Sequence, residues 1–332
     1  MPIRKWIVLL MVSGWLLPFG SALADIYVGS EFQVMALADN ADGDATPLRK
    51  ITGDSTLLVD VGGIALDVAN QELFAIQDYG ATVAVHAASS DGDVEPIRVM
   101  NSGCTESRAV AVDYFNDELY VLCSDPNSIR VFARTATGTP TPLRTIEGAA
   151  TGLDFNNGIF VDLIHDEIFT ASPLSDSIRV FSRLADGNVA PIRVMTGAAT
   201  GFNSPQWIFV SSTNNEMYIA DREGHAIKTF PRDASGDTAP VRSITGAQTT
   251  LVNPQGLYLN TNDELVVAME DGRVVVFDRT ADGDQAPLRI VNTTLTGAIY
   301  SNGIVGSNAA DGASGLVGRS AILFEDGFET PD

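Results

Sequence analysis

The strongest constraint on this chain is a phrase it writes six times. Residues 236–246 read GDTAPVRSITG, and near-copies stand at Gly43 (GDATPLRKITG), Gly92 (GDVEPIRVMNSG), Gly138 (GTPTPLRTIEG), Gly187 (GNVAPIRVMTG) and Gly283 (GDQAPLRIVNT). The arginines of the copies, Arg49, Arg98, Arg144, Arg193, Arg242 and Arg289, are spaced by 49, 46, 49, 49 and 47 residues. A period near 50 with strand-like content indicates propeller blades rather than helical arrays. No stretch between the copies sustains a helical period.

Each unit holds four short β-rich runs separated by turn residues. In one of them WIFVS, EMYIA, AIKTF and APVRSI are the four strands, with TNN and DASGD as turns. GIALDVANQELFAI, AVAVDYFNDELYVL, GIFVDLIHDEIFTA and GLYLNTNDELVVAM supply first and second strands elsewhere, and VAVHA, IRVFAR, IRVFSR and VVVFDR supply third strands. Runs such as VVVF are apolar on both faces, as a sheet packed between two neighbours requires. The start after residue 24 holds second, third and fourth strands but no first, while YSNGIVGSN near the end holds a first strand without clean successors. Pairing Gly303–Ser307 beside Ile26–Gly29 would close the ring and remove the exposed sheet edges. The expected fold is all-β: a six-bladed β-propeller of four-stranded antiparallel blades over residues 25–307, closed by its N- and C-terminal strands.

The segments NPQGLYLN…DELVVAMEDGRVVVFDR and SPQWIFVS…NEMYIADREGHAIKTF resemble NHL repeats, with a Pro-x-Gly-Ile-like first strand, an aromatic-containing second strand ending near Asp, and a third strand ending in Val-Phe. The resemblance covers residues 25–307 and departs from the simplest NHL unit in its longer third-to-fourth hairpin. It implies architecture. It does not select a function, because propellers of this kind include protein binders, RNA binders, lyases and hydrolases.

The Asp-rich turns DNADGDATPLR and RTADGDQAPLR suggest a calcium loop. An EF-hand needs a bidentate Glu six residues after its Gly, and here that position is the arginine in all six copies. The phrase is therefore read as a hairpin turn, with Gly supplying a positive φ and Pro leading an outermost strand. Each arginine is expected to pair with an acid of its own or the adjacent blade, such as the set Asp67, Asp113 and Asp162. A role repeated six times is architecture, since a catalytic site needs asymmetry.

Function in such a ring belongs where the repeats differ, on loops around the central channel. Aligning the first strands places Gly62, Arg108, Asn157, Gln206, Gln255 and Asn302 at one position, a polar ring at one mouth with one cation among amides. The loops joining second to third strands should add Asp78, Asp125, Asp176, Asp221, Glu223, His225 and Glu270 on the same face. Amides with carboxylates could hold a hard cation such as calcium, or a carbohydrate; hydrated channel polarity is the plainer alternative. His86 falls in a third strand and His165 in a far turn, leaving only His225 near the face. No His-x-x-x-His, Gly-x-Ser-x-Gly or phosphate-binding glycine loop occurs, so metal-histidine or Ser-His chemistry has no motif behind it.

The chain opens MPIRKWIVLLMVSGWLLPFGSALAD: Arg4 and Lys5 precede an apolar run, and Ala22 and Ala24 occupy the −3 and −1 positions of a cleavage site. This is the pattern of a secretory signal, and the run is shorter than the roughly 20 residues of a membrane span. Cleavage after Ala24, a secreted or periplasmic location and no integral membrane association are expected. Cys104 and Cys123, the two cysteines, would form a disulfide in such a compartment, with free buried thiols as the alternative. A formal net charge of −22 excludes a nucleic-acid partner, since phosphate binding depends on basic side chains. Residues 308–332 read as a small-residue linker and a tail, AILFEDGFETPD, that resembles the DGFE ends of some exported proteobacterial proteins.

Two functions fit these residues. One is a monomeric, non-enzymatic exported propeller that binds a protein, glycan or envelope component through the mouth residues Arg108, Asn157, Gln206, Gln255, Asn302, Asp221, Glu223 and His225. The other resembles the six-bladed gluconolactonase and regucalcin group, a calcium-type hydrolase or lactonase with Asn157, Asn302 and Glu223 as ligands and a metal-bound water as nucleophile. The aligned ring lacks the acidic inner-strand ligand which that reading wants.

Overall fold

The computed structural model describes residues 25–293 and 304–306. Its strands form six blades of four antiparallel strands, packed side by side around a ring, with Gly43–Asp44 added in parallel to the outer edge of the last. Blade 2 holds Val61–Asp67, Glu72–Gln77, Thr82–Ala87 and Arg98–Asn101, innermost to outermost. Blade 3 holds Glu106–Asp113, Glu118–Asp125, Asn127–Ala133 and Arg144–Glu147. Blades 4, 5 and 6 begin at the inner strands Gly158–Asp162, Pro205–Ser211 and Pro254–Leu259. Blade 1 is composite: Asp25–Ser30, Gln33–Ala38 and Arg49–Thr52 take Ile304–Gly306 as their inner strand, with Tyr27 opposite Val305. The expected closure is present. The segments 1–24 and 307–332, where the leader, linker and tail are expected, lie outside the described residues.

The core lies between the blades. In Arg273–Asp278 the run Val274, Val275, Val276 and Phe277 is buried on both faces, and each such side chain contributes about 1.5–3 kcal/mol on leaving water. Trp207 fills the space between the inner strands of blades 5 and 6, its indole Nε1–H donating to the Leu257 carbonyl at 3.0 Å.

The repeated phrase works as a head-to-tail clasp between successive copies. The Gly of each copy has positive φ, from 63° at Gly43 to 78° at Gly92, and bridges in parallel to the outer strand of the preceding blade. Gly92 pairs with Ile51, Gly138 with Met100, Gly187 with Ile146, Gly236 with Met195 and Gly283 with Ile244, and Gly43 completes the circle on Val291. The residue after that Gly then caps the end of the preceding copy. Asp237 Oδ1 accepts from Ala199 N–H at 2.6 Å and Asp284 Oδ1 from Gln248 N–H at 2.6 Å, each at the start of a short 3-10 turn. Gly197, the last letter of its copy, has φ 128°, and a Cβ there would stand 2.4 Å from the Asp237 carboxylate. The phrase therefore ends in Gly because the next copy's Asp fills the space. Its outer strands are shorter than the sequence suggests, Arg242–Ile244 rather than a run from Ala239, because the hairpin ahead of the Arg reaches across to the neighbouring blade.

The six arginines do pair with acids, but not with the expected set. Arg98 grips Glu72, Arg144 grips Glu118, Arg193 grips Glu167, Arg242 grips Glu216 and Arg289 grips Glu264, while Arg49 takes Asp25. Each acid opens the second strand of the same blade. Four of these glutamates accept a second arginine from the end of the next blade's third strand: Arg134 on Glu72, Arg183 on Glu118, Arg232 on Glu167 and Arg279 on Glu216. Asp67, Asp113 and Asp162 instead close their turns, as Asp113 does by accepting from the Phe115 and Asn116 N–H groups at 2.9 Å. They reach the second arginines only at longer range, 3.2 Å for Asp67–Arg134 and 4.0 Å for Asp113–Arg183. At Glu72 the Arg98 hydrogen bonds hold the carboxyl below its ordinary range, and at Glu118 the bonds from Arg144 and Tyr120 outweigh the opposite push of burial. A lowered carboxyl contributes stability above its unfolded pKa and loses it as pH falls, so these junctions weaken in acid, below pH 4.5.

Replacing Gly197 by Ala should cost about 2 kcal/mol or more, through both the backbone conformation and the Asp237 contact. Urea unfolding of the variant checks this; a midpoint equal to that of the parent would contradict the clasp.

Candidate functional site

One end of the ring gathers the starts of the inner strands, the loops between second and third strands and the connections entering each blade. The predicted mouth position is marked there by a shared backbone irregularity. Inner-strand pairing skips Gly62 between Val61 and Gly63, Arg108 between Ser107 and Ala109, Gln206 between Pro205 and Trp207, and Gln255 between Pro254 and Gly256. A bulge of this kind re-aims one side chain away from the strand's alternation. Asn157 sits just ahead of the blade 4 strand, its N–H on the Ala171 carbonyl at 3.0 Å. Its amide Nδ2 donates to Gln206 Oε1, so these two ring members meet. Asn157, Gln206 and Gln255 are all buried. Asn302 lies outside the described residues.

Arg108 is the centre of the most structured part of this end. Its Nη1 donates to both Asp78 oxygens at 2.8 Å, its Nη2 to Glu106 at 3.1 Å and its Nε to Ser124 Oγ at 3.2 Å. Glycine at position 62 makes room: a Cβ there would lie 3.1 Å from Asp78 and 3.2 Å from the Arg108 carbonyl. The guanidinium also faces two rings, Phe155 at 4.4 Å and Tyr79 at 5.5 Å from their centroids, within the range where the ring quadrupole attracts a cation. Both rings are open to solvent, Tyr79 at 68% and Phe155 at 37%. Sequence reasoning found Arg108 and Asp78 but missed these aromatics. They stand beside turn residues in QDYG and DFNN, where only their exposure gives them meaning.

Burial pushes the Asp78 carboxyl up to about 6, with Arg108 acting in the opposite direction. A carboxyl raised in the folded state favours folding most below its unfolded pKa of 3.8 and loses that contribution as pH rises through 6. This is the reverse of the glutamates at the far end of the blades. Carbon-13 NMR of the carboxyl groups should show one titrating near pH 6 that disappears in Asp78→Asn; its absence from the parent spectrum would contradict this.

The remaining candidates share one network of hydrogen bonds, in which the Glu223 N–H donates to the Asn203 carbonyl and the Arg222 N–H to the Ser204 carbonyl. Asp221 is fully buried and accepts from Lys228 Nζ at 2.6 Å and from Asn203 N–H at 2.8 Å; burial pushes its carboxyl up against the pull of Lys228. Glu223 pairs with Arg222, which also reaches Glu270 at 3.0 Å. His225 adopts a positive φ of 47° and accepts the Asn253 N–H on Nδ1 at 3.1 Å. Asp176 accepts from Ser204 N–H at 2.8 Å. Of the ligand set conceived for calcium, Asn157 donates to Gln206 and Glu223 pairs with Arg222, while Asn302 lies outside the described residues. Among the described residues no three His, Cys, Asp or Glu side chains come together as a metal group.

Cys104 and Cys123 form a disulfide, with Cα atoms 5.9 Å apart. Its place in the ring explains it. The connections after Gly53, Gly148, Gly197 and Gly246 each hold a 3-10 turn capped by Asp or Asn of the next copy. The connection into blade 3 has no such turn, and Thr139 stands where the others carry Asp or Asn. The disulfide fastens this junction instead, with Cys123 opposite Ser107, the residue before Arg108. Reducing it should lower stability by about 3 kcal/mol, read as a shift of the urea midpoint with a phosphine reductant; an unchanged midpoint would show that the junction holds without it.

The comparisons bear on the fold alone. No protein-family profile matches the chain, and no curated protein matches it in sequence; the NHL resemblance gains nothing beyond its quoted motifs, whereas the propeller it implied is present. The chain is similar to one in a nidogen/laminin complex, with a TM-score of 0.59 at 12% identity over 81% of this chain and 97% of that one. It is also similar to a functionally unknown protein from Desulfotomaculum acetoxidans DSM 771, at a TM-score of 0.54 and 13% identity over 76% of this chain and 75% of that one. The protein is a six-bladed β-propeller. No helix among the described residues is long and apolar enough to cross a membrane.

Proposed function

We propose that this protein is an exported binding propeller of the NHL-like kind, acting as a monomer, that takes a protein or glycan partner on the end where its inner strands begin. The observation that carries the reading is the bulge shared by Gly62, Arg108, Gln206 and Gln255. The same irregularity holds Gly, Arg, Gln and Gln in blades 2, 3, 5 and 6, so a regular scaffold carries an asymmetric mouth. The far end is taken up by repeated arginine–glutamate pairs, which suit a structural duty. The nidogen/laminin structure contains two proteins in complex, and a partner of this chain is inferred by analogy with it. Export rests on the leader pattern and fits the disulfide.

Two measurements test this in the native host. N-terminal sequencing of the exported fraction should begin at Asp25. A photo-crosslinking residue at Leu174, on the mouth end, should recover one identified partner, while the same residue at Ile192, on the outer perimeter, recovers none. Retention of residues 1–24 on cytoplasmic protein would refute export. Equal crosslinking at both positions would refute the mouth as the binding end.

A further inference from the structure

The mouth end carries more exposed apolar surface than its polar ring suggests. Phe32, Leu57, Val59, Tyr79, Phe155 and Leu174 are all exposed, and they follow one another across blades 1 to 4. Phe32 lies in the loop between the second and third strands of blade 1. With Leu57 and Val59 it lines a groove of 460 Å³ that runs to the entry of blade 2. The next residue along, Asp60, accepts the Asp78 N–H on its main-chain carbonyl at 2.6 Å, which leads to Tyr79, Arg108 and Phe155. Leu174 projects from the blade 4 loop, which Ser172 ties to Asp154 beside Phe155.

Two features of this arc select its occupant. The first is preorganisation: Tyr79 and Phe155 are held against a guanidinium that four bonds to Asp78, Glu106 and Ser124 fix in place. Rigid exposed aromatics are what binding hot spots are made of. The second is charge. Arg108 spends its cation on Asp78 and Glu106, and Arg179 reaches Asp154 at 3.5 Å, whereas Asp60, Asp125 and Asp176 also border the arc and are partly or fully exposed, on a chain of net charge −22. Amides that could read sugar hydroxyls, Asn157, Gln206 and Gln255, are buried beneath the surface. The exposed chemistry is therefore aromatic and carboxylate, which complements cations on an apolar stem.

We infer that the arc from Phe32 to Leu174 docks an extended, lysine- or arginine-bearing segment of a protein partner. This rests on the mouth being the binding end and names the partner's chemistry. Basic side chains would pair with the rim carboxylates and lie over Tyr79 and Phe155, while apolar side chains between them would enter the groove beside Leu57.

The test is calorimetry on the purified chain from residue 25 onward, with three probes: a Lys-Leu-Lys-Leu-Lys peptide, its Glu-Leu-Glu-Leu-Glu counterpart and a neutral oligosaccharide, cellopentaose. The lysine peptide should bind and the glutamate peptide should not. Raising salt from 20 to 300 mM should weaken binding about 10-fold or more, since exposed charges are screened over a Debye length. Tyr79→Ala with Phe155→Ala should weaken it by a further factor of about 10, Tyr79→Phe should restore part of it, and Ile192→Ser on the perimeter should change nothing. Thermal unfolding confirms that the variants are folded. If the lysine peptide fails to bind, or binds equally after both aromatics are removed, the inference is overturned. Cellopentaose binding that depends on Tyr79 and Phe155, without binding of the lysine peptide, also overturns it but leaves the mouth as the binding end.

Discussion

The structure depends on one contact made over and over: the glycine head of each repeat lying on the outer-strand tail of the one before. A propeller blade is a twisted sheet with an exposed outer edge, and such an edge invites pairing with other chains. Here the outer strand gives part of its free edge to the neighbouring hairpin, as when Gly236 N–H donates to the Val194 carbonyl at 2.7 Å and its own carbonyl accepts from Thr196. Neighbouring blades are thereby bound by main-chain bonds at the perimeter, by apolar packing in the middle and by charge at the far end. The lock at that end is the shared glutamate. It receives one arginine from its own sheet and one from the next, so removing it would leave two cations in a half-buried place, a change of about 3–5 kcal/mol.

The places where this regular scheme lapses have structural consequences. Thr139 cannot supply the carboxylate cap, and there the chain carries the Cys104–Cys123 disulfide. Blade 2 ends its third strand with Ala87 and Ala88 rather than an arginine; Asp25 pairs with Arg49, and the Tyr27 hydroxyl donates to the Ala88 carbonyl at 3.1 Å. Blade 1 likewise has Asp39 where the third-strand arginine would be, and Asn260 joins Arg289 on Glu264. The irregular junctions lie on both sides of blades 1 and 2 and at the start of blade 3. The groove at Leu57 and the Arg108 cluster occupy the same sector of the ring. The asymmetry that a binding surface needs is concentrated there.

The two ends of the ring also answer pH in opposite senses. The far-end glutamates are held low by arginine hydrogen bonds and weaken their junctions in acid. Asp78 is held high because burial outweighs its partner. The contrast follows from geometry: Glu72 receives two arginines, whereas Asp78 shares Arg108 with Glu106 under nearly complete burial.

What the sequence determined by itself is whatever recurs. The period of the arginines, the four runs per unit and the orphan first strand near residue 304 determined six blades and their closure, because a ring must satisfy the same edge at every junction. The positive-φ glycines of the turns were equally legible, since glycine enters that conformation at the lowest cost. The mouth position came from aligning strands, and four of its six residues, Gly62, Arg108, Gln206 and Gln255, share a bulge. Tertiary structure alone decided the partners. Arg98 prefers Glu72 to Asp67 because the register of neighbouring strands sets the distances, and one-dimensional spacing does not carry that register. Whether Tyr79 and Phe155 are core or surface depends on how loops of separate blades meet around Arg108, an arrangement fixed only once the ring has closed.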